Sequence, residues 1–302
     1  MSARERRRSR CRGPRLWATL RASGASSRAL PSQPSIDGFN TFLVARAAHE
    51  AGIKVALSGL GGDELFGSYP SFRDVPAWNR KATALRRVPG AGAGWSLASS
   101  LLAGGRPKSR GLLTYGGTLA GAYFLRRGLF LPEELPALIG SDLARTGLAA
   151  FDPVAHAQRA LESAAPPFYG ASSSPTSSSV EGDPTDWDRV QRLELALYLR
   201  NQLLRDSDWA AMASSVELRV PLVDPILWTQ MARHRHEPAR SQGKAALVRA
   251  VAPDLPAELW NRPKSGFSVP VAQWMFPPRP GERDTAGKGS RRLALRILEG
   301  FR

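Results

Sequence analysis

The sequence predicts an α/β fold, a partial parallel sheet joined to a large helical C-terminal part. Three observations lead there. Residues 35–70 run in the order helix, short apolar strand, glycine loop, helix start. A second short run, Val216 to Val220, alternates apolar and charged far downstream. Between and beyond these runs the apolar spacing is helical. Strands separated by helical chain are the wiring of a parallel sheet, and a glycine loop at the carboxyl end of a strand is a usual place for a ligand.

The first helix is expected over 35–52 (SIDGFNTFLVARAAHEAG). Ser35 or Asp37 can cap it, Phe39, Leu43, Ala47 and Ala51 fall at helical spacing, and Gly52 closes it. Ile53 to Leu57 reads as a strand of the kind buried in a parallel sheet. Ser58-Gly59-Leu60-Gly61-Gly62 follows, and Asp63-Glu64-Leu65-Phe66 is the next helix start. Residues 76–165 are helical in character, with Gly/Pro interruptions around 89–107. Residues 170–185 are a low-complexity, flexible loop. A long helix is expected from Asp186 to Ser214, with Val190, Leu193, Leu197 and Leu204 in its apolar rows. A short helix to about Arg233 and another over 243–251 come next. Residues 261–270 (NRPKSGFSVP) read as a loop, and the basic tail 276–302 has no clear element.

Composition narrows the class. The chain has 302 residues, 42% hydrophobic and 23% charged, as a globular protein has. Its single cysteine, Cys11, excludes a disulfide framework and fits a reducing compartment such as the cytoplasm. No apolar run approaches the roughly 20 residues of a membrane span, so no membrane partner is expected. The four histidines lack zinc-ligand spacing. The net charge is +16, yet half of it lies in residues 1–30, where nine arginines stand against one glutamate. Residues 1–32 therefore read as a disordered basic arm. A nucleic-acid-binding tail, a transit peptide and non-native sequence ahead of a truncated domain all have this composition. With the charge confined to one arm and few aromatics for stacking, nucleic acid is not the expected main partner.

Three clusters carry chemistry. In SGLGGDELFGSY (58–69), Gly59, Gly61 and Gly62 let the backbone approach a ligand, and the following helix start favours an anion. Asp63 and Glu64 would repel phosphate unless Mg²⁺ bridges them. The same residues also fit a plain tight turn capped by Asp63. In the second cluster Glu217 and Arg219 share one strand face, so Arg219 can grip a carboxylate or phosphate, or form a structural ion pair with Asp208 or Asp224. In the third, Arg262 and Lys264 sit in a Gly/Pro-shaped loop where cations can meet developing negative charge. An exposed basic loop fits them equally.

Taken in order, these clusters resemble the asparagine synthetase (glutamine-hydrolysing) family. SGLGGDELFGSY is similar to that family's SGxGxDELFGGY. NQLLRDSDWAAMASSVELRVPLVD resembles its KxDRxSMxxSLExRxPFLD run, and NRPKSGFSVPVAQW its RxKxGFxxPxxxW loop. The resemblance covers about residues 33–275. It implies the C-terminal synthetase domain, of the adenine-nucleotide alpha-hydrolase type. There ATP and Mg²⁺ adenylate aspartate or a related carboxylate, and ammonia from glutamine displaces AMP. By position, Ser58, Gly59, Gly61 and Gly62 would bind ATP, and Asp63 would hold Mg²⁺ and pyrophosphate. Lys264 and Arg262 would be catalytic, while Asp208, Glu217 and Arg219 would shape the site.

Three departures qualify the resemblance. No glutaminase domain is seen, the family's SGGxDS pyrophosphatase loop is missing upstream of residue 33, and Leu60 stands where bacterial asparagine-forming enzymes carry an acid. The abrupt join at QPSIDGFNTF is expected of a domain truncated on its N-terminal side. The sequence thus leaves two readings in view. One is an amide-forming ligase domain. The other is an inactive fragment that serves as a binding or structural partner, able to complement a separate chain that supplies the loop and the glutaminase.

Overall fold

The computed structural model describes residues 36–88, 107–163, 184–233, 244–260 and 286–299. The basic arm 1–32, nearly all of the 170–185 loop, and the 261–270 loop with Arg262 and Lys264 lie outside the described residues. The fold is a mostly helical α/β arrangement with a small parallel sheet, and the chain divides into two compact units. Among the described residues the first holds 36–58, 202–219 and 286–299, the second 59–88, 107–163, 184–201, 220–233 and 244–260.

In the first unit, α1 (Ile36–Glu50) leads into β1 (Val55–Leu57). Gly52 ends the helix at φ +78°, where the Ile53 amide donates to the Ala48 carbonyl (2.9 Å). This left-handed closure matches the expected glycine stop. β1 pairs in parallel with β2 (Glu217–Arg219), with Val55 opposite Glu217 and Leu57 opposite Arg219. Two expectations need correction. The strand was expected to be buried, yet Val55 is 42% and Leu57 77% exposed, because β2 is its only strand partner among the described residues. The buried row of α1 is Phe39, Phe42 and Ala45, whereas Ala47 and Ala51 face outward. Trp209 sets that row: its ring meets Phe39 edge-on and Phe42 nearly flat, each at 6.4 Å between centroids.

The second unit is helical. A short turn, α2 (Gly62–Leu65), precedes α3 (Ser71–Arg86), and then come α4 (Pro107–Tyr115) and α5 (Leu119–Arg127). Thr118 caps α5 by accepting the Gly121 amide at 3.0 Å. Residues Leu135–Ile139, Ser141–Ala150 and Pro153–Glu162 are α6, α7 and α8, and Asp152 caps α8 with bonds from the Val154 and Ala155 amides. Val75, Leu119, Ala122, Tyr123, Ala157 and Leu193 centre the core. Burial of the valine and leucine side chains among them contributes about 1.5–3 kcal/mol each.

The helix expected over 186–214 starts as α9 (Asp186–Leu193), with Thr185 and Asp188 capping reciprocally. It then changes to π geometry over Glu194–Leu204 before resuming as α10 (Arg205–Met212). A π turn bonds i to i+5, which rotates every later residue off the 3.6-residue rows. Val190 and Leu193 are buried as expected, but within the π segment the buried apolar positions are Leu195, Ala196, Leu199 and Leu203, and Leu197 and Leu204 are only half-buried. After β2 come a single 3₁₀ turn (Pro221–Val223), α11 (Pro225–Arg233), α12 (Lys244–Val251), α13 (Ala257–Trp260) and, in the tail, α14 (Ala286–Glu299). No helix among the described residues is long and apolar enough to cross a membrane.

Candidate functional site

The glycine loop is the best-defined part of the site. β1 ends where the Ser58 amide donates to the Arg219 carbonyl (2.9 Å). Gly61, at φ +90°, then turns the chain into α2, and the Leu65 amide donates back to its carbonyl (2.8 Å). A Cβ on Gly61 would lie 2.7 Å from the Leu222 carbonyl oxygen, so the turn needs glycine for both its backbone angle and its closeness to the Pro221–Val223 turn.

The two acids after the turn face different surroundings. Asp63 is partly exposed, and its Oδ1 lies 2.5 Å from Nζ of Lys244, the first residue of α12. Glu64 points into the core and is fully buried. Its Oε1 accepts from the Tyr69 hydroxyl (3.0 Å), its carbonyl oxygen accepts from Gln191 Nε2 (3.0 Å), and Oε2 has no hydrogen-bond partner among the described residues. Burial pushes the Glu64 carboxyl up to about 7, and the Asp63 and Glu194 charges add to the rise against opposing hydrogen bonds. The Glu64 carboxyl is turned into the core, which leaves Asp63 as the partly exposed acid of the pair, already faced by a lysine.

Lys244 escapes sequence reasoning. It stands outside all three motifs, and its one signal is that it is among only six lysines in an arginine-rich chain and opens a helix. Gly62 lies beside it, since a Cβ there would sit 3.6 Å from Lys244 Cε. The structure thus gathers Gly61, Gly62, Asp63 and Lys244 in the second unit, with Gly59 exposed just ahead of them. Among the described residues no group of three or more His, Cys, Asp or Glu side chains comes together. Mg²⁺ commonly takes one or two carboxylates and completes its shell with phosphate oxygens and water, so a single Asp63 fits that ion in the company of a phosphate ligand.

Ser58, Asp208, Glu217 and Arg219 belong to the first unit. Arg219 Nε donates to Glu217 Oε1 at 2.8 Å, with both side chains exposed. The expected ion pairing with Asp208 or Asp224 does not form. Asp224 instead caps α11, accepting from the Ile226 (2.7 Å) and Leu227 (3.1 Å) amides. Asp208 is exposed on α10, next in sequence to Trp209 and two residues after the buried Asp206.

Behind the loop lies a buried ionic cluster. Arg127 donates to Glu194 through Nη2 (2.6 Å) and Nε (3.2 Å). Its guanidinium lies 3.6 Å above the Tyr198 ring and 4.9 Å from the Tyr69 ring. Burial opposes the Arg127 charge, but Glu194, Tyr123 and Tyr198 together outweigh it and raise its pKa. Ser71 and Tyr123 also donate to Glu194, which is fully buried.

Comparison with known proteins bears on the family of the chain. The asparagine synthase family model matches residues 35–294. Putative asparagine synthetases [glutamine-hydrolyzing] of Mycobacterium bovis and Mycobacterium tuberculosis are each 33% identical over 245 residues, which is 78% of this chain and 32% of theirs. Asparagine synthetase [glutamine-hydrolyzing] 1 of Bacillus subtilis is 26% identical over 248 residues, 78% of this chain and 33% of its own. The chain thus spans about a third of the length of these relatives. No solved structure matches with comparable significance.

Proposed function

Because the chain belongs to the asparagine synthase family, we propose that it carries an ATP-dependent amide-forming activity of the synthetase type, on a sheet of the adenine-nucleotide alpha-hydrolase kind. A substrate carboxylate, aspartate or a related acid, attacks the α-phosphorus of ATP and pyrophosphate leaves. Ammonia derived from glutamine then attacks the acyl-adenylate carbon, forming the amide and releasing AMP. The chemistry needs cations and donors at the departing pyrophosphate rather than a protein nucleophile.

The observation that carries this reading is the Gly61–Gly62–Asp63 turn with Lys244 at 2.5 Å from Asp63. In the proposal Ser58, Gly59, Gly61 and Gly62 line the nucleotide. Asp63 would hold Mg²⁺, which would supply charge to offset the phosphates, and Lys244, adjoining Gly62, would offer its ammonium to a phosphate oxygen. Lys264 and Arg262 serve the transferring group, and Asp208, Glu217 and Arg219 shape the acceptor side. A glutaminase chain supplies ammonia, and the cytoplasm is the proposed setting.

ATP–pyrophosphate exchange tests the reading. The chain, with Mg²⁺ and aspartate, is expected to exchange label from pyrophosphate into ATP, and Lys264→Ala to abolish it. Absence of exchange with aspartate and with other amino dicarboxylates would sink the proposal for the isolated chain.

A further inference from the structure

A four-residue helix cannot hold its own orientation, because forming one turn fixes several backbone angles for a single hydrogen bond. The turn that bears Asp63, Gly62–Leu65, is such a helix. Its direction must come from tertiary anchors: Gly61 and Gly62 lie against the Pro221–Val223 turn, and the hydrogen-bonded anchors run to the long helical stretch. Gln191 holds the Glu64 carbonyl. The Glu64 carboxylate holds the Tyr69 hydroxyl. The Tyr69 ring stands edge-on to Tyr198, 5.6 Å between centroids, and against the Arg127 guanidinium. Arg127 is fixed in turn by Glu194, which also receives the Ser71 hydroxyl at the start of α3. The arch 62–71 is thus pinned to the helical stretch 186–201 at Glu64, Tyr69 and Ser71, all within the second unit. Asp63 is the residue of the turn left pointing away, toward Lys244.

We propose that Glu64 and Tyr69 are positioning residues. Their buried hydrogen bond, backed by the Arg127–Glu194 pair, sets the direction in which Asp63 meets Lys244 and a bound metal–phosphate ligand. The proposal rests on the function proposed above for Asp63 but concerns residues that never touch the ligand. Partners one step behind a metal-binding carboxylate typically change metal affinity about 10–100-fold when lost.

The test uses the full chain in three forms besides wild type. Tyr69→Phe removes only the hydroxyl, and Glu64→Gln keeps a carbonyl oxygen for it. Tyr115→Phe makes the same chemical change at a tyrosine that bonds Glu133 (2.7 Å), outside this network. Two quantities are measured, amide hydrogen exchange over residues 62–66 and binding of Mg²⁺·pyrophosphate by calorimetry.

Tyr69→Phe is expected to speed exchange at 62–66 about tenfold without changing it in α5, and to weaken Mg²⁺·pyrophosphate binding about tenfold. Glu64→Gln should stay within about twofold of wild type, and Tyr115→Phe should match wild type, in both measurements. Unchanged exchange at 62–66 in Tyr69→Phe overturns the proposal, as does faster exchange with undiminished binding. If wild type binds no Mg²⁺·pyrophosphate, the functional reading of Asp63 falls, and faster exchange confined to Tyr69→Phe still supports the positioning of the turn.

Discussion

Replacing Glu194 by leucine should destabilise the protein by roughly 3–5 kcal/mol, the usual result of removing one partner from a buried ion pair. The structure places the loss within that range. Glu194 is fully buried and collects two bonds from Arg127 as well as the Ser71 and Tyr123 hydroxyls. Leucine fills a similar volume, so cavity formation adds little. The guanidinium loses its counter-charge, but its side chain keeps 25% exposure and can draw partial hydration, which sets this contribution near the low end. The Ser71 hydroxyl, left without its acceptor, adds about 1 kcal/mol, whereas Tyr123 keeps the Leu193 carbonyl as its acceptor (3.2 Å). A sum near 4 kcal/mol is a large part of the roughly 5–15 kcal/mol by which such domains are stable. Urea unfolding is the assay, read as the midpoint at constant slope. Arg127→Met combined with Glu194→Leu should recover more than half of the loss, because no unpaired charge then remains. A single-variant loss below about 1 kcal/mol, or a double variant no better than Glu194→Leu, would refute the account of this cluster.

Other consequences follow from the loop itself. Gly61→Ala should cost roughly 2–4 kcal/mol, combining left-handed backbone strain with a Cβ 2.7 Å from the Leu222 carbonyl oxygen; a loss under about 1 kcal/mol in urea unfolding would show that the turn relaxes freely. Glu64 titrates from 4.5 in the unfolded chain to about 7 in the folded one. The folded state therefore binds the extra proton, and the stability linked to it is present below pH 4.5 and lost as pH rises through 7. Wild-type stability relative to Glu64→Gln should fall by about 3 kcal/mol across that window, and a flat difference between the two proteins would contradict the burial of this carboxyl.

The sequence made the local features readable and left tertiary geometry hidden. Gly52 closes α1 through its left-handed backbone, and Asp186 opens α9 just after the Thr185 cap, both through properties of neighbouring residues. The parallel pairing of Val55–Leu57 with Glu217–Arg219 follows from two short runs separated by helical chain. The buried row of α1 is set by Trp209, a contact across more than 160 residues, so periodicity alone chose Ala47 and Ala51 instead. The π segment starting at Glu194 defeats any reading based on 3.6-residue rows. At the site, Gly61, Gly62 and Asp63 were legible because a strand, a glycine turn and a helix start follow one another directly. Lys244 was not, because its meeting with Asp63 is made by folding and leaves no pattern in the chain. The inward turn of Glu64 was equally hidden, since DE after a glycine turn reads as two equivalent acids.

The central claim is that the turn bearing Asp63, with Lys244 beside it, is the phosphate-and-metal part of a nucleotide site. Calorimetric binding of Mg²⁺·ATP to the full chain, in wild type, Asp63→Asn and Lys244→Ala, tests it most directly. The account predicts binding by wild type, a loss of about tenfold or more in Asp63→Asn that added Mg²⁺ does not restore, and a similar loss in Lys244→Ala. Equal affinity of all three proteins for Mg²⁺·ATP, or no binding by any of them, would contradict it.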